Sequence, residues 1–187
     1  MEMVKELLRR INKMYIYCDI DEVLWDSIDA VLITLNRRYN TNYKSNDVVT
    51  WNFSNLYPDM TDEEIEAIFD SDEFFENIKF KKDAEEWLRK EYENNNITLI
   101  TKGNKINLIK KQKWFNEHGF ENIPFIGLEN HESKGSVDMT GCMFLDDCKK
   151  NLDESNAEYK ILFENNPRGE WLQGWTGLRT KSFKPII

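Results

Sequence analysis

Histidine and cysteine are scarce in this chain, at 2 and 3 of 187 residues, and each scarcity removes a class of chemistry. Cys18, Cys142 and Cys148 are odd in number and irregular in spacing, which excludes a disulfide framework. Cys18 and Cys142 lie in apolar runs and read as core residues. Together with His118 and His131 they make no zinc-ligand pattern. Positive charge is also in deficit: 25 Lys and Arg against 34 Asp and Glu leave a net charge of −9. Such a field repels polyanions and argues against broad contact with polymeric nucleic acid. A small phosphorylated ligand stays compatible if local cations offset the field. No apolar run approaches the length of a membrane span. The opening residues, MEMVKELLRRINK, are charged and lack the apolar stretch of a secretory signal. A cytoplasmic protein without membrane contact is expected. Hydrophobic residues at 40% and aromatics at 13% suffice for a packed core.

The most informative stretch is Tyr15–Ser27, YIYCDIDEVLWDS. A short apolar run ends in Asp19 and Asp21, two residues apart and so on one side of an extended chain. Two neighbouring carboxylates repel, and burying them unpaired is costly. Magnesium is the natural cation to relieve this, being a hard ion that takes oxygen ligands and keeps waters that a phosphate can replace. The same residues also suit a turn, with Asp19 capping a helix that starts near Val23.

Short apolar strands are expected at Met14–Cys18, Ile97–Thr101, Ile123–Ile126, up to Leu145, and at Lys160–Phe163. Helical spacing marks the first dozen residues through Val4, Leu7, Leu8 and Ile11. It also marks Ile28–Leu35, Asp83–Tyr92 and Lys105–His118, with Gly119 as a C-cap. Strands alternating with helices predict an α/β, Rossmann-like parallel sheet covered on both faces. The segment between the first two strands is too long for a plain crossover. It is rich in aromatics and acids, with Thr61 placed to cap a short helix before Glu64. The expected organisation is therefore a core of residues 1–25 and 84–187, and a small helical cap of residues 26–83 inserted after the first strand. The C-terminal tail is expected to be irregular, with Trp171, Trp175 and Arg179 in surface packing.

Ligands of open α/β sheets bind at the carboxyl ends of the strands. Asp19 and Asp21 stand there, as do Thr101 with Lys102, Gly103 and Asn104, and Asp146 with Asp147; Lys134 lies in the loop HESKGS between them. Singly, Thr101 reads as a helix N-cap, Lys134 as a solvated lysine and the Asp146–Asp147 pair as a turn. Four acids, a hydroxyl and a lysine at one sheet edge favour a site.

At these residues the chain resembles the haloacid dehalogenase (HAD) superfamily of phosphotransferases, through CDIDEV, LIT, the lone Lys134 and FLDD in that order. Receiver domains gather similar residues in a different order. The resemblance spans roughly residues 14–163. It implies that Asp19 is a nucleophile forming an aspartyl phosphate and that Asp21 is a general acid and base. Thr101, Lys102 and Lys134 would bind phosphate. Magnesium would sit on Asp19, the Asp21 carbonyl and Asp146, with Asp147 in or near the outer layer. An insertion after the first motif is the type C1 cap position. Within these enzymes the chain resembles the 5′(3′)-deoxyribonucleotidase family, through DIDEVLWD, DEFFENIKFKKDAEEWL and FLDDCKKNL. Cap aromatics surround the nucleobase in that family, which points to Trp25, Trp51, Phe53 and Phe75, residues that could equally build the insertion's own core. The implied reaction is hydrolysis of 5′- or 3′-(deoxy)nucleoside monophosphates. A phosphatase for a sugar phosphate, or a non-catalytic module binding a phospholigand, uses the same residues. The aromatic surface would permit a homodimer. The chain departs from the family pattern in three places: Glu22 replaces a usual glycine, Ser27 a usual aromatic, and Lys102–Gly103–Asn104 the residues after the motif threonine.

Overall fold

Six short strands lie side by side, all parallel, in the computed structural model, which describes residues 14–164, 166 and 168–184. They are β1 (Ile16–Cys18), β2 (Ile97–Lys102), β3 (Phe125–Leu128), β4 (Met143–Asp146), β5 (Tyr159–Phe163) and β6 (Leu178–Thr180). Their order across the sheet is β3-β2-β1-β4-β5-β6. The chain reverses its direction of travel between β1 and β4, which opens a crevice beyond the carboxyl ends of those strands. In register, Cys18 stands beside Leu99 on one side and Leu145 on the other. Asp19, Thr101 and Asp146 therefore reach the same edge.

Both sheet faces are covered, as parallel strands require. One face buries Ile16, Cys18, Leu99 and Leu145 with Trp25, Trp87 and Phe115. The other buries Ile100, Phe144 and Leu162 with Met139 and Leu152. The helices are α1 (Ser27–Tyr39), α2 (Asp62–Phe69), α3 (Asp72–Asn77), α4 (Ala84–Glu93), α5 (Lys105–Glu117) and α6 (Lys149–Glu154). Helix α1 buries Ile28, Val31, Leu32 and Leu35 on one stripe. It ends at Asn40 in the left-handed conformation, φ 52°. Helix α2 begins on a reciprocal cap: Glu64 N donates to Thr61 Oγ1 (3.2 Å), and Thr61 N to the Glu64 carboxylate (2.9 Å).

Helices α1 to α3 all lie in the long connection between β1 and β2, the segment expected to form the insertion. Its two ends meet: Asp26 N donates to Lys79 O (3.1 Å) and Lys81 N to Leu24 O (2.8 Å). The expected N-terminal helix falls outside the described residues. Strand β3 starts two residues later than expected. Pro124 precedes it, has no N–H to give, and takes part only by accepting from Leu99 N (2.8 Å). The tail is not irregular throughout. It carries a 3₁₀ turn, Glu170–Leu172, and the edge strand β6. Leu178 and Arg179 are both exposed there, so no apolar alternation marks that strand. No described helix is long and apolar enough to cross a membrane.

Candidate active site

Asp19 leaves β1 with its N–H on the Leu145 carbonyl (2.9 Å) and its carboxylate buried. The chain then turns sharply, Leu24 N and Trp25 N both donating to Ile20 O (2.9 and 3.0 Å). The turn needs a left-handed residue, and Glu22, at the position where the resemblance implies glycine, takes φ 56°. Its carboxylate steadies the turn by accepting from Ile28 N (2.7 Å), at the start of α1, and from Lys81 Nζ (3.1 Å). Burial pushes the Glu22 carboxyl up. Burial also pulls on Lys81, but Glu22 and Asp26 outweigh it and hold that ammonium above its ordinary range.

Asp21 is gripped from three sides. Ser27 Oγ donates to Oδ1 (2.7 Å); Thr101 Oγ1 (3.4 Å) and Lys111 Nζ donate to Oδ2. The Lys111 ammonium also donates to Thr101 Oγ1 (2.9 Å) and the Lys102 carbonyl (3.0 Å). Lys111 is only 1% exposed, and the sequence reading missed it. A signal was present. Asn107, Lys111, Trp114 and Phe115 are the buried positions of α5, at the spacing of one helical face, so this lysine occupies a core position.

Lys134 opens the 3₁₀ turn Lys134–Ser136 and is also buried. Its ammonium lies 2.7 Å from Asp19 Oδ1 and 2.8 Å from Asp146 Oδ2. Gly135 lets this turn come close to α6, because a β-carbon there would stand 2.6 Å from the Glu154 carbonyl oxygen. The other oxygen of Asp146 accepts from Cys148 N (2.7 Å) and Asn151 Nδ2 (3.1 Å). Asp147 differs: its Oδ2 is buried and has no hydrogen-bond partner. Asp19, Asp146 and Asp147 each offer an oxygen within 4.8 Å of the others.

Three buried carboxylates thus surround one ammonium. Burial pushes Asp19 up to about 7; Lys134 pulls against this, while Asp146 and Asp21 add to it. Burial, then Asp146 and Asp19, hold Asp147 well above the carboxylate range. Burial opposes the charge on Lys134 too, but Asp146 and Asp19 outweigh it and raise its affinity for the proton. The cluster lacks positive charge. An orphaned carboxylate oxygen inside it is the donor set a hard divalent cation takes.

A cavity of about 630 Å³ opens over this centre. Asp19, Asp21, Lys102, Lys111, Lys134 and Asp147 line it at the sheet edge; Trp51, Ile65 and Phe69 line it from the insertion, and Trp171 from the tail. Of the four aromatics expected around a substrate, Trp51 is in place. Trp25, Phe53 and Phe75 are not among the lining residues. Trp25 is fully buried, stacked on Phe115 (centroids 5.1 Å, 10°) and edge-on to Phe75 (6.3 Å). Phe53 is fully buried as well. Trp25 and Phe53 thus belong to the core and Phe75 packs against it, because a large ring gains more from burial among apolar neighbours than from a solvated cleft. Phe69 and Trp171 take wall positions the sequence reading did not assign.

Solved structures of similar fold include a haloacid dehalogenase-like hydrolase from Streptococcus pneumoniae (TM-score 0.59, 12% identity, covering 94% of this chain and 96% of that one). The HAD hydrolase YfnB of Bacillus subtilis, solved bound to magnesium, aligns with TM-score 0.57 at 10% identity over 93% and 97% of the two chains. A subfamily IA HAD hydrolase from Geobacter sulfurreducens gives 0.54 at 13% identity over 92% and 93%. At such identities the likeness is one of fold. No curated protein is similar enough to the chain to count as a match. Residues 12–179, nearly the whole sequence, match the family described as 5′ nucleotidase, deoxy (pyrimidine), cytosolic type C protein. With its parallel HAD sheet and its acids gathered at the carboxyl edge, the chain belongs to that nucleotidase family and is a phosphatase of the HAD superfamily.

Proposed function

We propose that this protein is a magnesium-dependent phosphomonoesterase that hydrolyses 5′(3′)-(deoxy)nucleoside monophosphates through an aspartyl phosphate on Asp19. The observation that carries the reading is the Asp19 carboxylate, held by Lys134 beside the unpartnered Asp147 oxygen at the floor of the cavity. A free Asp19 oxygen attacks phosphorus, the ester P–O bond breaks, and the leaving alkoxide takes a proton from Asp21. Water, giving its proton back to Asp21, then cleaves the acyl phosphate and returns both residues to their starting state. Lys134 offsets the charge that Asp19 and the phosphate bring together. Thr101 Oγ1 and the Lys111 ammonium, both on Asp21, are donors an arriving phosphate competes for. Lys102 lines the same end and adds positive charge.

Magnesium would be held by the Asp19 carboxylate, the Asp21 carbonyl and Asp147, and when bound it neutralises charge between nucleophile and phosphate. This assigns Asp147 the direct ligand role and makes Asp146, saturated by Lys134, Cys148 N and Asn151, the anchor of Lys134. The magnesium-bound Bacillus subtilis relative supports the same metal. The family description and the aromatic wall support a nucleotide over a sugar phosphate. The net charge of −9 supports a small substrate over a polynucleotide.

The test is a substrate profile. Nucleoside monophosphates should outperform sugar phosphates at equal concentration, chelation should abolish turnover and magnesium restore it, and Asp19→Asn should lose at least about 10³-fold in kcat. Full activity in Asp19→Asn, or equal activity after chelation, would contradict the proposal.

A further inference from the structure

Trp171 is distant in sequence from the carboxylate centre, yet it lines the same cavity. Two clasps set it there. Asn166 Nδ2 donates to the carbonyls of Ser45 (3.0 Å) and Val48 (2.7 Å), and Glu170 N donates to the Val49 carbonyl (2.9 Å). The tail is thereby tied to the insertion loop that leads into Trp51. The two indoles meet edge to face, centroids 5.5 Å apart at 77°, and Trp51 stacks on Phe69 at 6.0 Å and 23°. Gly169 makes the arrangement possible. A β-carbon there would lie 2.6 Å from Cζ2 of Trp171, so only a residue without one lets the ring fold back across its own turn.

The result is an aromatic corner with one wall from the insertion and one from the tail. Trp51 keeps 38% of its surface open. Asp62 and Glu170 line the cavity from the same two segments, while every lysine among the described lining residues belongs to the sheet core. This end of the cavity repels a second phosphate and suits a flat, uncharged ring.

Resting on the nucleotide reading above, we propose that Trp171, set edge to face against Trp51, contacts the planar heteroaromatic base of the substrate, which makes the C-terminal segment a substrate-binding element. The phosphate sits over Asp19 and Lys134, and the base packs into the corner. Stacking on an aromatic side chain is insensitive to which base is present, so the corner selects for a ring rather than for one nucleobase.

The experiment compares deoxycytidine and deoxyadenosine 5′-monophosphates with deoxyribose 5-phosphate, which keeps sugar and phosphate but has no ring. Trp171→Ala should raise KM for both nucleotides about tenfold with kcat nearly unchanged, and leave kcat/KM for deoxyribose 5-phosphate unchanged. Trp171→Phe should recover most of the loss. Gly169→Ala, which displaces the ring, should resemble Trp171→Ala. Unchanged nucleotide KM in Trp171→Ala overturns the proposal. So does an equal loss for deoxyribose 5-phosphate, the outcome of a purely structural Trp171. If the unmutated protein handles deoxyribose 5-phosphate as well as the nucleotides, the nucleotide reading itself fails and the subsite falls with it. A preference for nucleotides that survives Trp171→Ala sinks the subsite alone.

Discussion

Asp19 is held under electrostatic tension by its burial among other carboxylates. In the folded protein without a cation its carboxyl is pushed up to about 7 from an ordinary 3.8, chiefly by burial. A raised acid favours the fold while protonated. Its stabilising contribution is complete below about pH 4 and disappears as pH rises through 7. A cation competes with that proton for the same oxygens, so the stabilisation that magnesium gives should grow across that window. Thermal unfolding with and without magnesium measures it. The gain in Tm should be small at pH 5 and larger at pH 8, and Asp147→Asn should remove most of it. A gain independent of pH would contradict this origin. Asp19, Asp21, Thr101, Lys134 and the Asp146–Asp147 pair were legible in the sequence because four of the six sit directly at strand ends, where apolar runs break. Lys111 and Trp171 were hidden for opposite reasons. Lys111 sits in a helix rich in lysine, where only its inward position sets it apart. Trp171 reaches the site through clasps between distant segments, and no local pattern encodes those contacts.

Elements, more than residues, decide how the insertion meets the core. Asn104 is the N-cap of α5, accepting from Ile106 N (2.9 Å) and Asn107 N (3.1 Å). Its amide group also donates to Asp70 (2.6 Å), at the end of α2. Asn107 donates to the Phe69 carbonyl (2.8 Å) and Lys110 to that of Asp70 (2.6 Å), so the first turns of α5 bind the end of α2 through three side chains. Asn104→Ala removes a cap and a tether at once. It should lower stability by about 1–2 kcal/mol in urea unfolding and raise KM, because Phe69 and Trp51 lose a support for their wall. Loss of stability with KM unchanged would leave Asn104 as a cap alone. The helices of the core were readable from their apolar spacing, and the α2 cap from Thr61 and Glu64. Strand β6 was not, because an exposed edge strand of three residues has neither a buried face nor length to show a period.

At the scale of the whole molecule, strand order does the gathering. Placing β1 between β2 and β4 brings Asp19, Thr101 and Asp146 to one crevice from segments far apart in sequence. The sheet edge then supplies the carboxylate end of the cavity, while the insertion and the tail shape the other end. The parallel α/β fold was visible in the alternation of strands and helices. The closing of the tail onto the insertion was not, since it depends on three-dimensional packing. The central claim is that Asp19 becomes phosphorylated, and rapid quenching of turnover followed by peptide mass spectrometry tests it most directly. One phosphoryl group should appear on the peptide containing Asp19 during steady hydrolysis of a nucleoside monophosphate, and none in Asp19→Asn. Sustained hydrolysis with that peptide unmodified at every quench time, or with the phosphoryl group on another residue, would contradict the account.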